Sequence, residues 1–317
     1  MRTEKGLPTL RYILKRFVIS VFTLLILVTA VFFLIRAMPG DPFLSEKLTP
    51  EIRENMLRYY GFDKPLHEQY LRYIGNLLRG DLGTSMHYNS IPVTRLIAES
   101  FPYSADLGIR AILLAFFAGT GLGIVSALNR GKWLDYLCIF IAILGVSLPD
   151  FVSGYLLQFV FGLKLKVLPI ALWRGLKYTI LPTLALSFYT TALLTRIMRA
   201  SMLEVVGQDY IKVARAKGLS TTKIVWRHQI RNAILPVVTI LGPITAAILT
   251  GTFVIESIYA IPGMGKFYVL GIQNLDYSQI LGLTVFYGAF LIAANFLVDL
   301  LYGFIDPRIR LDKKEAA

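Results

Sequence analysis

The stretch DYIKVARAKGLSTTKIVWRHQIRNAILP, Asp209 to Pro236, decides how this chain is read. Lys212, Arg215, Lys217, Lys223, Arg227 and Arg231 make it basic, yet apolar segments long enough to cross a bilayer flank it on both sides. A positively charged connection between two spans belongs on the cytoplasmic side. Upstream of Gly218, apolar Met202, Val205, Val206, Tyr210, Val213 and Ala214 predict one face of a helix, with Glu204, Gln208, Lys212 and Arg215 on the other. Gly218 is where that helix should stop, since glycine enters the left-handed C′ conformation cheaply. Ser220 is placed to cap a second helix, in which Thr221, Thr222 and Lys223 lead into Ile224, Val225 and Trp226. Pro236 marks the entry into the next span.

Working outward, the chain of 317 residues is 55% apolar and 17% charged, with a mean hydropathy of +0.60, which places it among integral membrane proteins. About 20 apolar residues in a helix cross a hydrocarbon core about 30 Å thick. Six segments qualify, at about 17–36, 103–127, 135–163, 179–198, 237–258 and 280–303. Pro149 falls inside the third and predicts a kink or break there. The first follows a basic start, but Phe17 to Ile35 is longer than a signal-peptide apolar region, so it reads as a retained span.

The fold class expected is therefore all-α integral membrane, with four parts. These are a cytoplasmic N-terminus and first span (1–36), an extracytoplasmic helical cap (37–102), a five-span core (103–303) containing the 200–236 loop, and a cytoplasmic tail (304–317). In the cap, Thr49-Pro50-Glu51 reads as a helix entry and Gly80 to Gly83 as a turn. Leu57, Tyr60, Leu66, Tyr70, Tyr73, Ile74, Leu77 and Leu78 are its candidate packing face. Eight Lys and Arg fall between 196 and 236, whereas eight acids offset the seven bases of 37–102. That bias puts both termini in the cytoplasm, although Lys164, Lys166, Arg174 and Lys177 then fall outside.

Several chemistries drop out. The single cysteine, Cys138, excludes a disulfide framework, and His67, His87 and His228 lack metal-ligand spacing. Gly263-Met264-Gly265-Lys266 imitates part of a phosphate loop, but Phe267 stands where Ser or Thr is needed. Gly119, Gly121 and Gly123 permit close helix approach. Arg110, Asp150 and Glu256, with Asp299, are charges within or beside spans and so candidates for a path or gate. Structural pairing is the expectation preferred for them, with Arg110 snorkelling outward and Glu256 at the outer interface.

Three readings of the basic loop remain on pattern alone: an amphipathic segment on anionic headgroups, a DNA-binding helix-turn-helix, or a docking helix for a cytoplasmic partner. The second lacks a third helix and a core of its own, so no nucleic-acid partner is expected.

The loop resembles the signature of bacterial ABC-importer permeases: Glu-Ala-Ala, three residues, Gly, then a distal Ile-x-Leu-Pro. Lys212, Val213 and Ala214 stand at the Glu-Ala-Ala positions, Gly218 is kept, and Ile234, Leu235 and Pro236 follow. Lys in place of Glu and the longer Gly-to-Pro separation are similar to the dipeptide/oligopeptide branch. The likeness extends through Pro39-Gly40-Asp41-Pro42, Gly61 to Leu66, Gly80 to Ser85, Ser147 to Phe151, Ile261 to Gly265, Asp276-Tyr277 and Asp306-Pro307-Arg308.

That resemblance implies the first of the two permeases in such an importer, a transport subunit rather than an enzyme, in a bacterial or archaeal plasma membrane. It implies ATPase coupling through Lys212, Val213, Ala214, Arg215, Ala216, Lys217, Gly218, Leu219 and Ser220, with His228, Arg231, Asn232 and Pro236 in the distal part. The implied partners are a homologous second permease, two ABC ATPases carrying ATP and Mg, an extracytoplasmic binding protein and membrane lipid; this chain would hold no cofactor. The implied cargo is a di- or oligopeptide. Nickel, glutathione or an oligosaccharide is the alternative within the class, and a stand-alone secondary transporter, a channel or a scaffold the alternative outside it.

Overall fold

A computed structural model describes residues 10–40, 42–43, 49–88, 91–250 and 253–305. Every regular element among them is helical, apart from one isolated antiparallel bridge between Thr84 and Pro92. Among the described residues, four helices are long and apolar enough to cross a membrane, and up to six spans result if each of two bent pairs is counted as one. The described residues divide into two compact units, one within 10–102 and 263–296, the other within 103–262 and 297–305.

In the first unit, α1 (Leu10–Arg36) is 27 residues long and carries no acid in its first turn. At about 1.5 Å per residue it measures about 40 Å. Phe17, Phe22 and Leu34 are more than half exposed, as befits a lipid-facing helix. Helix α2 (Pro50–Tyr60) starts at Thr49, whose hydroxyl accepts from Ile52 N, and ends at Gly61 in the left-handed conformation. Helix α3 (Leu66–Leu78) does not bury the whole expected face. Tyr70 and Tyr73 pack on Phe32, while Leu66 and Leu78 remain exposed.

The buried carboxylate of Asp276 anchors this unit. Its Oδ2 accepts from Ser85 Oγ (2.5 Å), Met86 N (2.9 Å) and His87 N (3.3 Å). Its Oδ1 accepts from Gln279 N at 3.0 Å, which caps α14 (Tyr277–Ile305). The Gln279 amide in turn donates to Phe267 O in α13 (Met264–Gln273).

In the second unit, α4 (Val93–Leu128, which begins in the first unit) and α5 (Trp133–Ser147) lead to the predicted break. Pro149 drives the preceding Leu148 into extended backbone (φ −91°, ψ 121°), because its ring excludes a helical residue before it. Helix α6 (Asp150–Leu157) and a π-helical run, Gln158–Lys164, then set off at 108° to α5. The Gln158 amide holds that run by donating to Ile170 O and Ile258 O, both at 2.9 Å. Helix α7 (Leu176–Val206) extends eight residues beyond the span expected at 179–198.

Helices α8 (Asp209–Ala216) and α9 (Thr221–Ile224), a π-helical run Val225–Ile230, and α10 (Arg231–Ala233) make up the basic connection. It bends by 44° into α11 (Leu235–Thr250), and α12 (Phe253–Ile258) completes the unit. The sequence Asp306-Pro307-Arg308 and the tail beyond it lie outside the described residues, as do Asp41 and the side chain of Asp299.

Candidate coupling surface

The connection is built around a small core that also takes in the end of α7. Ile211, Ala214 and Ile224 are buried together, with Val205 and Leu219 packed against them. Lys217 N–H donates to Val213 O, Gly218 N to Arg215 O (2.9 Å) and Leu219 N to Ala214 O (3.3 Å). The last two are the paired bonds that close a helix through a left-handed glycine, and Gly218 has φ +74°. Space does not require the glycine, since a Cβ there would meet nothing within 4 Å; backbone conformation does. Leu219, the residue after it, folds back onto the core of the helix it terminates.

Two expectations need correction. The helix upstream of Gly218 is not continuous: α7 ends at Val206, capped by Gly207, and Gln208 is extended (ψ 148°) before α8 begins. The break resets the helical phase, so the buried face of α8 is Ile211 and Ala214, while Tyr210 and Val213 are 41% and 52% exposed. Ser220 occupies the cap position, and its carbonyl accepts from Ile224 N at 3.0 Å. Its side chain makes no capping hydrogen bond.

The outer surface therefore combines apolar and basic groups. Lys212, Val213, Arg215, Ala216, Lys217, Gly218 and Ser220 are exposed, Leu219 is half-buried and Ala214 is buried. Trp226, 69% exposed, adds a large aromatic. Asn232 Nδ2 donates to Tyr210 Oη (3.1 Å) and to His228 O (2.8 Å), tying α8 to the second helix. Arg231 and Pro236 are exposed nearby in sequence, and His228 is half-buried. The Lys212–Asp209 pair at 2.8 Å is solvent-exposed and contributes little.

A buried ion pair between α5 and α7 was not legible as a site. Asp135, 2% exposed in the first turn of α5, accepts from Arg199 Nε (2.8 Å) and Nη2 (2.9 Å) in a two-pronged fork. Ser126 Oγ donates to the same carboxylate at 2.5 Å and Gly131 N at 3.0 Å. The end of α4, the turn after it, α5 and α7 are thus tied at one point, seven residues before α7 ends at Val206. Gly119 and Gly123 let α4 approach α7 closely. A Cβ at Gly123 would fall 2.6 Å from Met198 Cβ and 2.8 Å from Thr195 O, whereas Gly121 faces open space. The available signal was an acid at the mouth of an apolar helix, which demands a cation nearby.

The intramembrane candidates disperse. Arg110 Nε donates to Asp106 Oδ1 at 2.9 Å, one turn away on its own helix. Asp150 is exposed in the first turn of α6. Glu256 is fully buried in α12.

Residues 9–108 match the N-terminal component, and residues 119–311 the main component, of the family described as binding-protein-dependent transport system inner membrane components. The chain belongs to that family. It is 45% identical to the dipeptide transport system permease protein DppB of Bacillus subtilis, over 96% of this chain and 99% of that one. It is 43% identical to the oligopeptide transport system permease protein OppB of Haemophilus influenzae, over 95% and 99% of the two chains.

Among solved structures, an amino acid ABC transporter crystallised with histidines gives a TM-score of 0.53 at 15% identity. That match covers 66% of this chain and 93% of the other. The inward-facing MetNI methionine ABC transporter gives 0.51, also at 15% identity, over 65% and 96%. These two likenesses establish a shared fold. This member of the family is accordingly a multi-pass inner-membrane transport component and not an enzyme.

Proposed function

We propose that the chain is the permease subunit of an ATP-driven importer of di- or oligopeptides, coupled to separate ATPases through residues 212–220. Near-full-length identity to permeases named for dipeptides and oligopeptides carries the substrate class. For the coupling role the deciding observation is the α8–α9 corner, where a buried core and a two-bond glycine closure hold an exposed apolar and basic surface rigid. A rigid corner transmits displacement, whereas a mobile loop dissipates it. When paired ATPases close on ATP and Mg, the corner moves, and α7 on one side and α11 on the other reorient with it.

A homologous second permease would complete the path, and an extracytoplasmic binding protein would deliver the cargo. Both termini lie in the cytoplasm in this arrangement, so the corner faces the ATPases and helices α2 and α3 face the binding protein.

The test is transport of a radiolabelled dipeptide, with ATP hydrolysis measured alongside, in proteoliposomes holding the assembled transporter. Gly218→Val, or Arg215→Glu with Lys217→Glu, should abolish the stimulation of hydrolysis by loaded binding protein while leaving the chain in the membrane. Unchanged stimulation would defeat the coupling role. Failure of dipeptides and oligopeptides alike to stimulate the wild-type complex would defeat the substrate class.

A further inference from the structure

Helix α3 does not stand clear of the first span but lies along its last turns. Thr29 Oγ1 and Tyr70 Oη are 2.7 Å apart, and Phe32 and Phe33 stack on Tyr73 and Tyr70 with ring centroids 5.7 Å apart. A helix of about 40 Å spans the hydrocarbon core and reaches the headgroups, so Arg36 at its end sits at phosphate depth. Leu71 and Leu78 of α3, 65% and 83% exposed, are what an interfacial helix presents to acyl chains.

Arg36 is held in one plane. Its Nε donates to Gln69 Oε1 at 2.9 Å, and its guanidinium carbon lies 4.3 Å from the Phe62 ring centre, 5.1 Å from that of Phe32 and 5.3 Å from that of Tyr277. Its Nη1 is buried without a hydrogen-bond partner among the described residues, and so is the Tyr73 hydroxyl. Burial pushes the Tyr73 phenol above its ordinary pKa, so it remains a neutral donor. Both residues line a cavity of about 290 Å³, together with Lys64, Arg72 and Asp81. The Asp81 carboxylate is engaged by Gly83 N at 2.8 Å. Three cations, Arg36, Lys64 and Arg72, thus border one hollow against a single acid, and two donors there, one of them on Arg36, lack a partner among the described residues. Buried donors of this kind call for an acceptor, and a guanidinium fork matches an oxyanion.

We propose that this cavity binds a phosphate oxyanion, with Arg36 and Tyr73 as its inner donors and Lys64 and Arg72 at its rim. At this depth the natural source is a phospholipid headgroup. The site is independent of the peptide and coupling readings above.

The experiment is thermal unfolding of the delipidated full chain in nonionic detergent, with dihexanoyl phosphatidylglycerol, inorganic phosphate or dihexanoylglycerol added. The phosphatidylglycerol should raise the midpoint by several degrees, as any ligand selective for the folded state does. The shift should shrink at least threefold in Tyr73→Phe and in the combined Lys64→Gln, Arg72→Gln variant. Both leave the Arg36 stack intact, so they stay informative if Arg36→Gln fails to fold. A response to phosphatidylglycerol alone identifies lipid as the source; an equal response to inorganic phosphate identifies a free anion. No response to either, an equal response to the phosphate-free dihexanoylglycerol, or undiminished shifts in the variants would overturn the site.

Discussion

Asp135 and Asp276 are both almost completely buried carboxylates, and their surroundings differ in one respect. Asp135 faces a cation, Arg199, on another helix. Asp276 accepts from a hydroxyl and three backbone N–H groups. A cradle of neutral, mostly main-chain donors cannot be exchanged or pulled apart without unfolding the turn that supplies them. A fork between two side chains can part and re-form as helices shift. The first arrangement suits a permanent staple of the 81–88 segment to the start of α14. The second suits a joint at the base of α7, the helix that leads into the α8–α9 corner.

Substitution tests that contrast. The largest effect should come from Asp276→Ala, which strands four donors at about 1–3 kcal/mol each for those that water cannot reach, or about 4 kcal/mol in all. Loss of the folded chain from detergent extracts, or early proteolysis within 79–92, would register it. Asp276→Asn keeps one acceptor oxygen and should cost about half as much. If Asn proves as damaging as Ala, the negative charge matters and the neutral-cradle description fails.

Arg199→Ala should cost about 2 kcal/mol. It leaves a buried acid without its cation, although Arg199 is itself 27% exposed and water can partly compensate. Pairing Arg199→Gln with Asp135→Asn should recover much of that loss in a double-mutant cycle followed by thermal unfolding. Additive losses would mean that the fork is incidental. Arg199→Lys keeps the charge but not both prongs, and should fall between wild type and Ala.

Glycine substitutions extend the comparison to the helix faces. Gly123→Val would overlap the α7 backbone and should destabilise by about 2–3 kcal/mol, whereas Gly121→Val, facing open space, should be within about 0.5 kcal/mol of wild type. Thermal unfolding of the two variants side by side separates close packing from a general intolerance of bulk in this helix. The smallest effect belongs to Glu54→Gln. Its partner Arg58 lies one turn on at 2.6 Å with both side chains about two-thirds exposed, so the midpoint should hardly move.

The sequence displayed the apolar runs and the Pro149 break because both arise locally, from hydropathy and from the steric demand of one ring. The Gly218 closure was legible for the same reason. The face of α8 was not, because apolar intervals assume an unbroken helix and Gly207 with Gln208 interrupts it. Tyr210 and Val213, expected on the buried side, are exposed as a result. Asp135 and Arg199 lie 64 positions apart, and no period links them. Asp276 was visible only as part of a motif, since its donors at 85–87 come from the other end of the chain. Pairings across such distances are decided by tertiary structure, so reading along the chain reveals the demand for a partner but not which residue meets it.

The interruption at Gly207–Gln208 also bears on how such a chain can change over time. In an unbroken helix, inserting one residue in the membrane portion would swing everything downstream through about 100°. Here the extended residue takes up part of that rotation, and α8 is seated by Ile211, Ala214 and Ile224 together with Val205 from the end of α7. Residues 208–220 therefore form a segment whose helical phase is set apart from that of α7, so either can vary in sequence with Val205 as a contact that both must keep.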